Sequence, residues 1–322
     1  MRQQSITSWR GVHAGSCHAW LLPADATCAA VARQVFRDAV SEVGLGSGLL
    51  DDCILMASEL AANTLHAQAV AGAGGGGNRL ASVLTGVEGE PNVSAVPAPQ
   101  SQAHDPQPDS QPEVWLYLRG LGARRELVCK VFDSYRGWRH GAAPSVSRAS
   151  VQAVAGRGLQ IVHELSGGRW GHHLTRARLG GHGHGLARPR GKAVWFAVPA
   201  PLAHARLADV TGLRAYTLSA DVTATRFNDR LSARQAAREL EAMLDGRGFG
   251  GQLARDDQPA RDTSVLSVDG GLTVRCWSGM VSLTTPWGSC QRWHYADLVE
   301  AAEQTVRRYE ELGLDTELVQ AQ

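Results

Sequence analysis

Met56-Ala57-Ser58-Glu59-Leu60-Ala61-Ala62-Asn63-Thr64-Leu65-His66-Ala67 sets a carboxylate and a carboxamide four residues apart in an otherwise largely apolar run. That spacing puts Glu59 and Asn63 on one helix face, one turn apart. Ile54, Leu55, Ala57, Leu60, Ala61 and Leu65 supply a buried side, so the pattern predicts a helix from about Leu50 to about His66. The pair has two readings. It is a solvated helix face, or it is chemistry: a carboxylate takes a proton from a hydroxyl or a water, and an amide oxygen ligates a hard cation such as magnesium. A base beside a metal ligand suits phosphoryl transfer. What the rest of the chain places around the pair decides between them.

The chain has 322 residues, enough for two domains. Lys and Arg number 32 against 31 Asp and Glu, and the net charge of +1 gives no global argument for a nucleic-acid, membrane or acidic partner. Hydrophobic residues make up 43% of the chain, as in a globular protein. No apolar run has the length of a membrane span. Met1 to Gly15 lacks a basic segment followed by an apolar core, so no signal peptide is expected. Cys17, Cys28, Cys53, Cys129, Cys276 and Cys290 are scattered with no C-x-x-C, and they read as reduced thiols of a cytoplasmic protein.

Around the central helix, His18 to Leu22 reads as an edge strand. Asp25 reads as a helix cap, and Ala29 to Val43 as a helix closed by Gly44. Residues from about 68 to 112 hold Gly74-Gly75-Gly76-Gly77 and a run rich in Pro, Gln, Ser and Asp. No Gly-Lys-Ser/Thr follows the glycines, so this reads as a disordered insert and not a phosphate loop. Val114 to Leu118 and Glu126 to Asp133 read as a hairpin. Leu159 to Ser166 reads as a helix stopped by Gly167-Gly168, Gly171 to Arg190 as a Gly/His/Arg-rich loop, and Ala193 to Val198 as a buried strand. From near Leu207 a separate block carries a helix at Ala233 to Asp245 and strands at Ser264 to Val268, Leu272 to Trp277 and Met280 to Thr284. It closes with an amphipathic helix at Tyr295 to Leu312. The division expected is 1–205, with the insert inside it, and a small α+β unit over 206–322.

The order of the polar pieces carries more than any one of them. After the Glu59 and Asn63 helix, a strand delivers Asp133 to its carboxyl end, where a carboxylate can accept from the exocyclic amine of adenine. Gly156-Arg157-Gly158 then opens a helix, where backbone N–H groups and the helix dipole favour phosphate. Gly191-Lys192-Ala193-Val194-Trp195 enters the last strand.

With these pieces in this order the chain resembles the GHKL ATPase superfamily, named for gyrase, Hsp-type chaperone, histidine kinase and MutL. Within it, the chain resembles the anti-sigma-factor serine kinases and related actinobacterial ATP-binding regulators. The resemblance rests on Ser58-Glu59-Leu60-x-x-Asn63-x-x-His66-Ala67, Val131-x-Asp133, Gly156-Arg157-Gly158-Leu159-x-Ile161-Val162, Trp170-Gly171 and Gly191-Lys192-x-Val194-Trp195, and spans about His18 to Pro199. It implies a Bergerat-type α/β sandwich, a mixed sheet with helices on one face, followed here by the small α+β unit. It implies ATP and Mg2+ as cofactors, with Glu59 as general base, Asn63 as magnesium ligand and Asp133 as the adenine-reading carboxylate. Gly156 and Gly158 would be phosphate-lid glycines, and Gly137, Arg157, Leu159 and Lys192 would complete the nucleotide contacts. The implied partner is a sigma factor or an anti-anti-sigma-type protein, or another transcription regulator, in the cytoplasm; a homodimer is compatible with this. Direct nucleic-acid binding and membrane contact are not expected. The rival is a non-catalytic module whose nucleotide shapes a surface that captures a transcription regulator.

Three features depart from the family pattern. Ser134-Tyr135-Arg136 precedes Gly137 after the aspartate, Lys192 stands where the sporulation-type kinases carry threonine, and the insert is long. Lys192 reads either as a phosphate contact or as a solvated lysine. His172, His173, His182 and His184 read as a flexible stretch or as metal ligands. Arg176, Arg178, Arg188, Arg190 and Lys192 read as a solvated basic loop near an anionic nucleotide. Trp138, Trp170 and Trp195 read as packing residues, and Trp277, Trp287 and Trp293 as a small core or a binding surface.

Overall fold

The computed structural model of the protein describes residues 17–40, 43, 45–74, 111–121, 124–135, 157–179, 188–200, 231–250 and 252–320. It is a mixed α/β architecture with two antiparallel five-stranded sheets. The first sheet contains β1 (Cys17–Leu21), β2 (Glu113–Arg119), β3 (Glu126–Asp133), β4 (Trp170–Arg176) and β5 (Arg190–Pro199), in the order β1-β2-β3-β5-β4. The second contains β6 (Ala254–Gln258), β7 (Thr263–Val268), β8 (Leu272–Trp277), β9 (Met280–Thr284) and β10 (Cys290–His294), in sequential order. The helices are α1 (Cys28–Val40), α2 (Ser47–Gly74), α3 (Gly158–Leu165), α4 (Ala233–Leu244) and α5 (Leu298–Gln320).

Strand alternation assigns the faces of the first sheet. Val114, Leu116, Leu118, Leu127, Cys129, Val131, Val194, Phe196 and Val198 join the core beneath α1, α2 and α3. The opposite side chains are Glu113, Trp115, Tyr117, Val128, Lys130 and Phe132, and they are equally buried. This second face is covered by α5, which packs on β2 and β4, and α5 also packs on β9 and β10 of the second sheet. The expectation of a mixed sheet with helices on one face is therefore corrected on two counts: every described strand pair is antiparallel, and both faces carry helices.

The two sides of α5 differ in chemistry. Leu298, Ala301, Ala302 and Val306 belong to the core of the second sheet, together with Leu240 and Leu244 of α4. Glu300, Glu303 and Glu310 turn to the first sheet. Glu303, fully buried, pairs with Lys130 Nζ at 3.1 Å, with Arg178 Nη2 at 2.6 Å and with Arg247 Nη1. The Tyr117 hydroxyl donates to Glu300 at 2.6 Å, and Arg176 Nε donates to Glu310 at 2.6 Å. Arg178 and Arg247 lie over the Trp115 ring, 5.4 and 4.8 Å from its centroid. Arg247 reaches this place from a π-helical turn, Asp245–Phe249, at the end of α4.

Local patterns place most elements within a few residues, and the differences have identifiable causes. Helix α2 runs on through Gly74, past the expected end at His66; residues 75–110, most of the expected insert, lie outside the described residues. The expected loop Gly171 to Arg190 begins as strand β4, bringing His172 and His173 into the sheet; His182 and His184 lie outside the described residues. Gly171 packs there so closely that a Cβ would lie 2.9 Å from the Trp195 ring. Strands β6 and β10 are edge strands with weak apolar patterns of their own. Of the C-terminal tryptophans, Trp293 packs against the second core, whereas Trp287 is 71% exposed. Trp138 and the expected boundary near residue 205 lie outside the described residues. Among the described residues no helix is long and apolar enough to cross a membrane.

Burial alone would raise the Glu303 carboxyl, but Arg247, Lys130 and Arg178 together hold it well below its ordinary value. Its stabilising contribution is therefore complete above the unfolded-state value, about pH 4.3, and is lost as pH falls through the lower folded value. Glu303→Gln should flatten the loss of stability in urea melts taken between about pH 5 and pH 2. Glu303→Ala, which leaves three buried cations without their carboxylate, should cost about 3–5 kcal/mol near neutral pH. A cost below about 1 kcal/mol would show that the α5 contact does not hold the first sheet.

Candidate functional site

Helix α2 offers Glu59 and Asn63 because the rest of its circumference is committed to packing. Cys53, Ile54, Met56, Ala57, Leu60 and Ala61 are buried in the first core, against α1 and the sheet. Ser58 and Thr64 turn their hydroxyls back to the carbonyls of Leu55 and Ala61, both at 2.8 Å. Glu59 is left half-buried and Asn63 exposed.

Helix α3 packs on this part of α2. Val162 is buried, while Leu159 and Leu165 pack on the first core. The Trp170 indole N–H donates to His163 Nδ1 at 3.0 Å, tying α3 to the start of β4. The first residue of α3, Gly158, is pressed onto the polar face of α2: a Cβ there would lie 2.8 Å from Glu59 Oε2 and 3.5 Å from Asn63 Nδ2. Arg157 precedes it with helical backbone angles and no side-chain cap, since a guanidinium has no acceptor for the first-turn N–H groups. Glu59 and Asn63 thus meet Gly158 at the N-terminal end of α3, with Arg157 and Leu159 its neighbours in the chain. Gly156 and Gly137 lie outside the described residues.

Asp133 closes β3. Leu127, Cys129 and Val131 face the helices, so the two-residue period puts Asp133 on the same side of the sheet as α2. Its side chain is engaged at both oxygens: Oδ1 accepts the Tyr135 backbone N–H at 3.0 Å, and Oδ2 accepts Lys192 Nζ at 2.8 Å. Lys192 is its cross-strand partner on β5, also donates to the Tyr135 carbonyl, and lies 5.0 Å from the Tyr135 ring centroid. Burial raises the Asp133 carboxyl, against the pull of Lys192 and the Tyr135 N–H, and burial lowers the Lys192 ammonium against the pull of Asp133. The ammonium of Lys192 is therefore seated on the carboxylate, where the sequence left phosphate contact or solvation open. Of the basic residues expected in a solvated loop, Arg176 and Arg178 bind Glu310 and Glu303 of α5 instead.

Two contributors escape a reading by residue type. Tyr135 enters through its backbone, and the signal was the turn Asp133-Ser134-Tyr135, in which an aspartate accepts from the N–H two residues on. Gly191 allows the close approach of β5 to the end of β3: a Cβ there would stand 2.2 Å from the Asp133 carbonyl oxygen and 2.7 Å from the Phe132 ring.

Comparison with protein-family models, with curated proteins and with solved structures finds no match to this chain.

The two glycines should respond differently to a methyl group. In Gly158→Ala the methyl meets the end of a flexible side chain, and alanine favours a helix, so stability should stay within about 1 kcal/mol of wild type. In Gly191→Ala it meets backbone and a buried ring, at a cost of about 2–3 kcal/mol. Equal melting shifts for the two variants would contradict the close approach at Gly191.

Proposed function

We propose that this protein binds ATP with its phosphates at the α2–α3 junction and acts as a regulatory protein serine kinase of the anti-sigma-factor type. The observation that carries the reading is the seat of Gly158 on Glu59 and Asn63. It brings a candidate base, a candidate metal ligand and an N-terminal helix turn without a side-chain cap to one point. The helices α1 to α3 on one face of a five-stranded sheet are compatible with a Bergerat-type sandwich, with the second face covered by α5 as a departure from it.

In this reading Glu59 would accept the proton of a partner's serine hydroxyl, whose oxygen would take the terminal phosphoryl group as its bond to the second phosphate breaks and ADP leaves. The Asn63 amide oxygen would hold magnesium, and the first-turn N–H groups of α3, from Gly158 and Leu159, would face the phosphates. Bound magnesium-ATP supplies the transferable phosphoryl group and neutralises charge on it. Asp133 takes the base at the end of β3. The partner is a sigma factor or an anti-anti-sigma-type protein, or another transcription regulator, met in the cytoplasm.

The second reading, a non-catalytic module that captures a transcription regulator when nucleotide is bound, draws support from Asp133, whose oxygens are both engaged within the chain. Two substitutions separate binding from transfer. Asn63→Ala should abolish magnesium-dependent ATP binding in calorimetry; an unchanged affinity removes the metal-ligand role. Glu59→Gln should keep the affinity and lower transfer of labelled phosphate to a co-purifying partner by about a hundredfold or more. Wild-type protein that binds ATP and labels no partner supports the capture module.

A further inference from the structure

The base end of the site carries a group that an adenine-reading carboxylate does not need. We propose that Lys192 is an internal competitor for Asp133, so that an adenine amino group reaches the carboxylate only against the lysine ammonium, and that Lys192 thereby weakens ATP binding. The inference rests on the reading of Asp133 as the base contact.

The geometry makes the competition direct. Lys192 Nζ lies 2.8 Å from Asp133 Oδ2, and the Tyr135 N–H holds Oδ1 at 3.0 Å. The lysine is held where it is: it faces Asp133 in the β3–β5 register, donates to the Tyr135 carbonyl and lies by the Tyr135 ring. Both members of the pair are buried, with side-chain exposures of 8% for Lys192 and 4% for Asp133, so water does little to weaken their attraction. An ammonium is a donor with no acceptor, and so is the exocyclic amine of adenine. The two contend for the same carboxylate oxygens and repel each other when both approach. A hydroxyl or an apolar group at position 192 would leave Asp133 open to adenine.

The test is calorimetric titration of wild type, Lys192→Met and Lys192→Thr with magnesium-ATP, with folding checked by circular dichroism. Met keeps the aliphatic stem, so at least one variant should remain folded. Removing the ammonium should raise ATP affinity by about tenfold or more. Adding Asp133→Asn to either variant should cancel the gain. Folded variants that bind ATP no more tightly than wild type overturn the competitor role while leaving nucleotide binding intact. If neither wild type nor the variants bind ATP, the reading of Asp133 as a base contact falls, and this inference falls with it.

Discussion

One carboxylate, Glu303, holds the architecture together. It is fully buried and receives Lys130 from β3, Arg178 from the segment after β4 and Arg247 from the turn after α4. Removing a carboxylate and three cations from water is costly, and the cost is offset only when all partners arrive together in good geometry. The pairing therefore does more to specify than to stabilise. A helix with an apolar face could cover the sheet, but it would leave Lys130, Arg178 and Arg247 buried without a counter-charge. Among the described residues α5, in this register, supplies it through Glu303. Trp115, under two guanidinium groups, gives the same seat its flat apolar floor.

What was legible in the sequence was what short-range pattern dictates. The period of apolar residues around Glu59 gave α2, and the hairpin β2–β3 followed from two apolar runs around a polar link. The glycine pair after Ser166, at φ of 61° and 78°, stops α3 as expected. What was not legible depends on partners distant along the chain. Strand β4 has the composition of a loop, and it is a strand because β5 offers it a template and α5 covers it. Edge strands β6 and β10 are likewise defined by their neighbours. The clearest overlooked signal was Tyr117 and Lys130 in the otherwise apolar interiors of β2 and β3, with Glu113 buried at the head of β2. Such residues on a sheet buried on both sides announce a polar layer above it.

The candidate site divides along the same line. Glu59 and Asn63 share a face because of helix geometry, and the glycine before a helix marks a close approach, so this junction could be read residue by residue. The end of β3 could not. Whether Lys192 points to solvent, to phosphate or to Asp133 is settled by strand register, and register comes from pairings that span the sheet. A lysine at the start of β5 thus makes a charge pair with the carboxylate at the end of β3.

The placement of α5 has a consequence for how the chain reaches this state. Tyr117 meets Glu300 and Lys130 meets Glu303 across separations of 183 and 173 residues. A ribosome delivers the first sheet long before the helix that covers it. During that interval the growing chain holds a half-built domain, with a tryptophan, a tyrosine and a lysine facing water or a chaperone. Loop closure over such a span is slow, and each pairing waits on it. The segment that carries α5 therefore times the assembly of the first sheet: until it is made, Tyr117 and Lys130 lack the carboxylates that receive them.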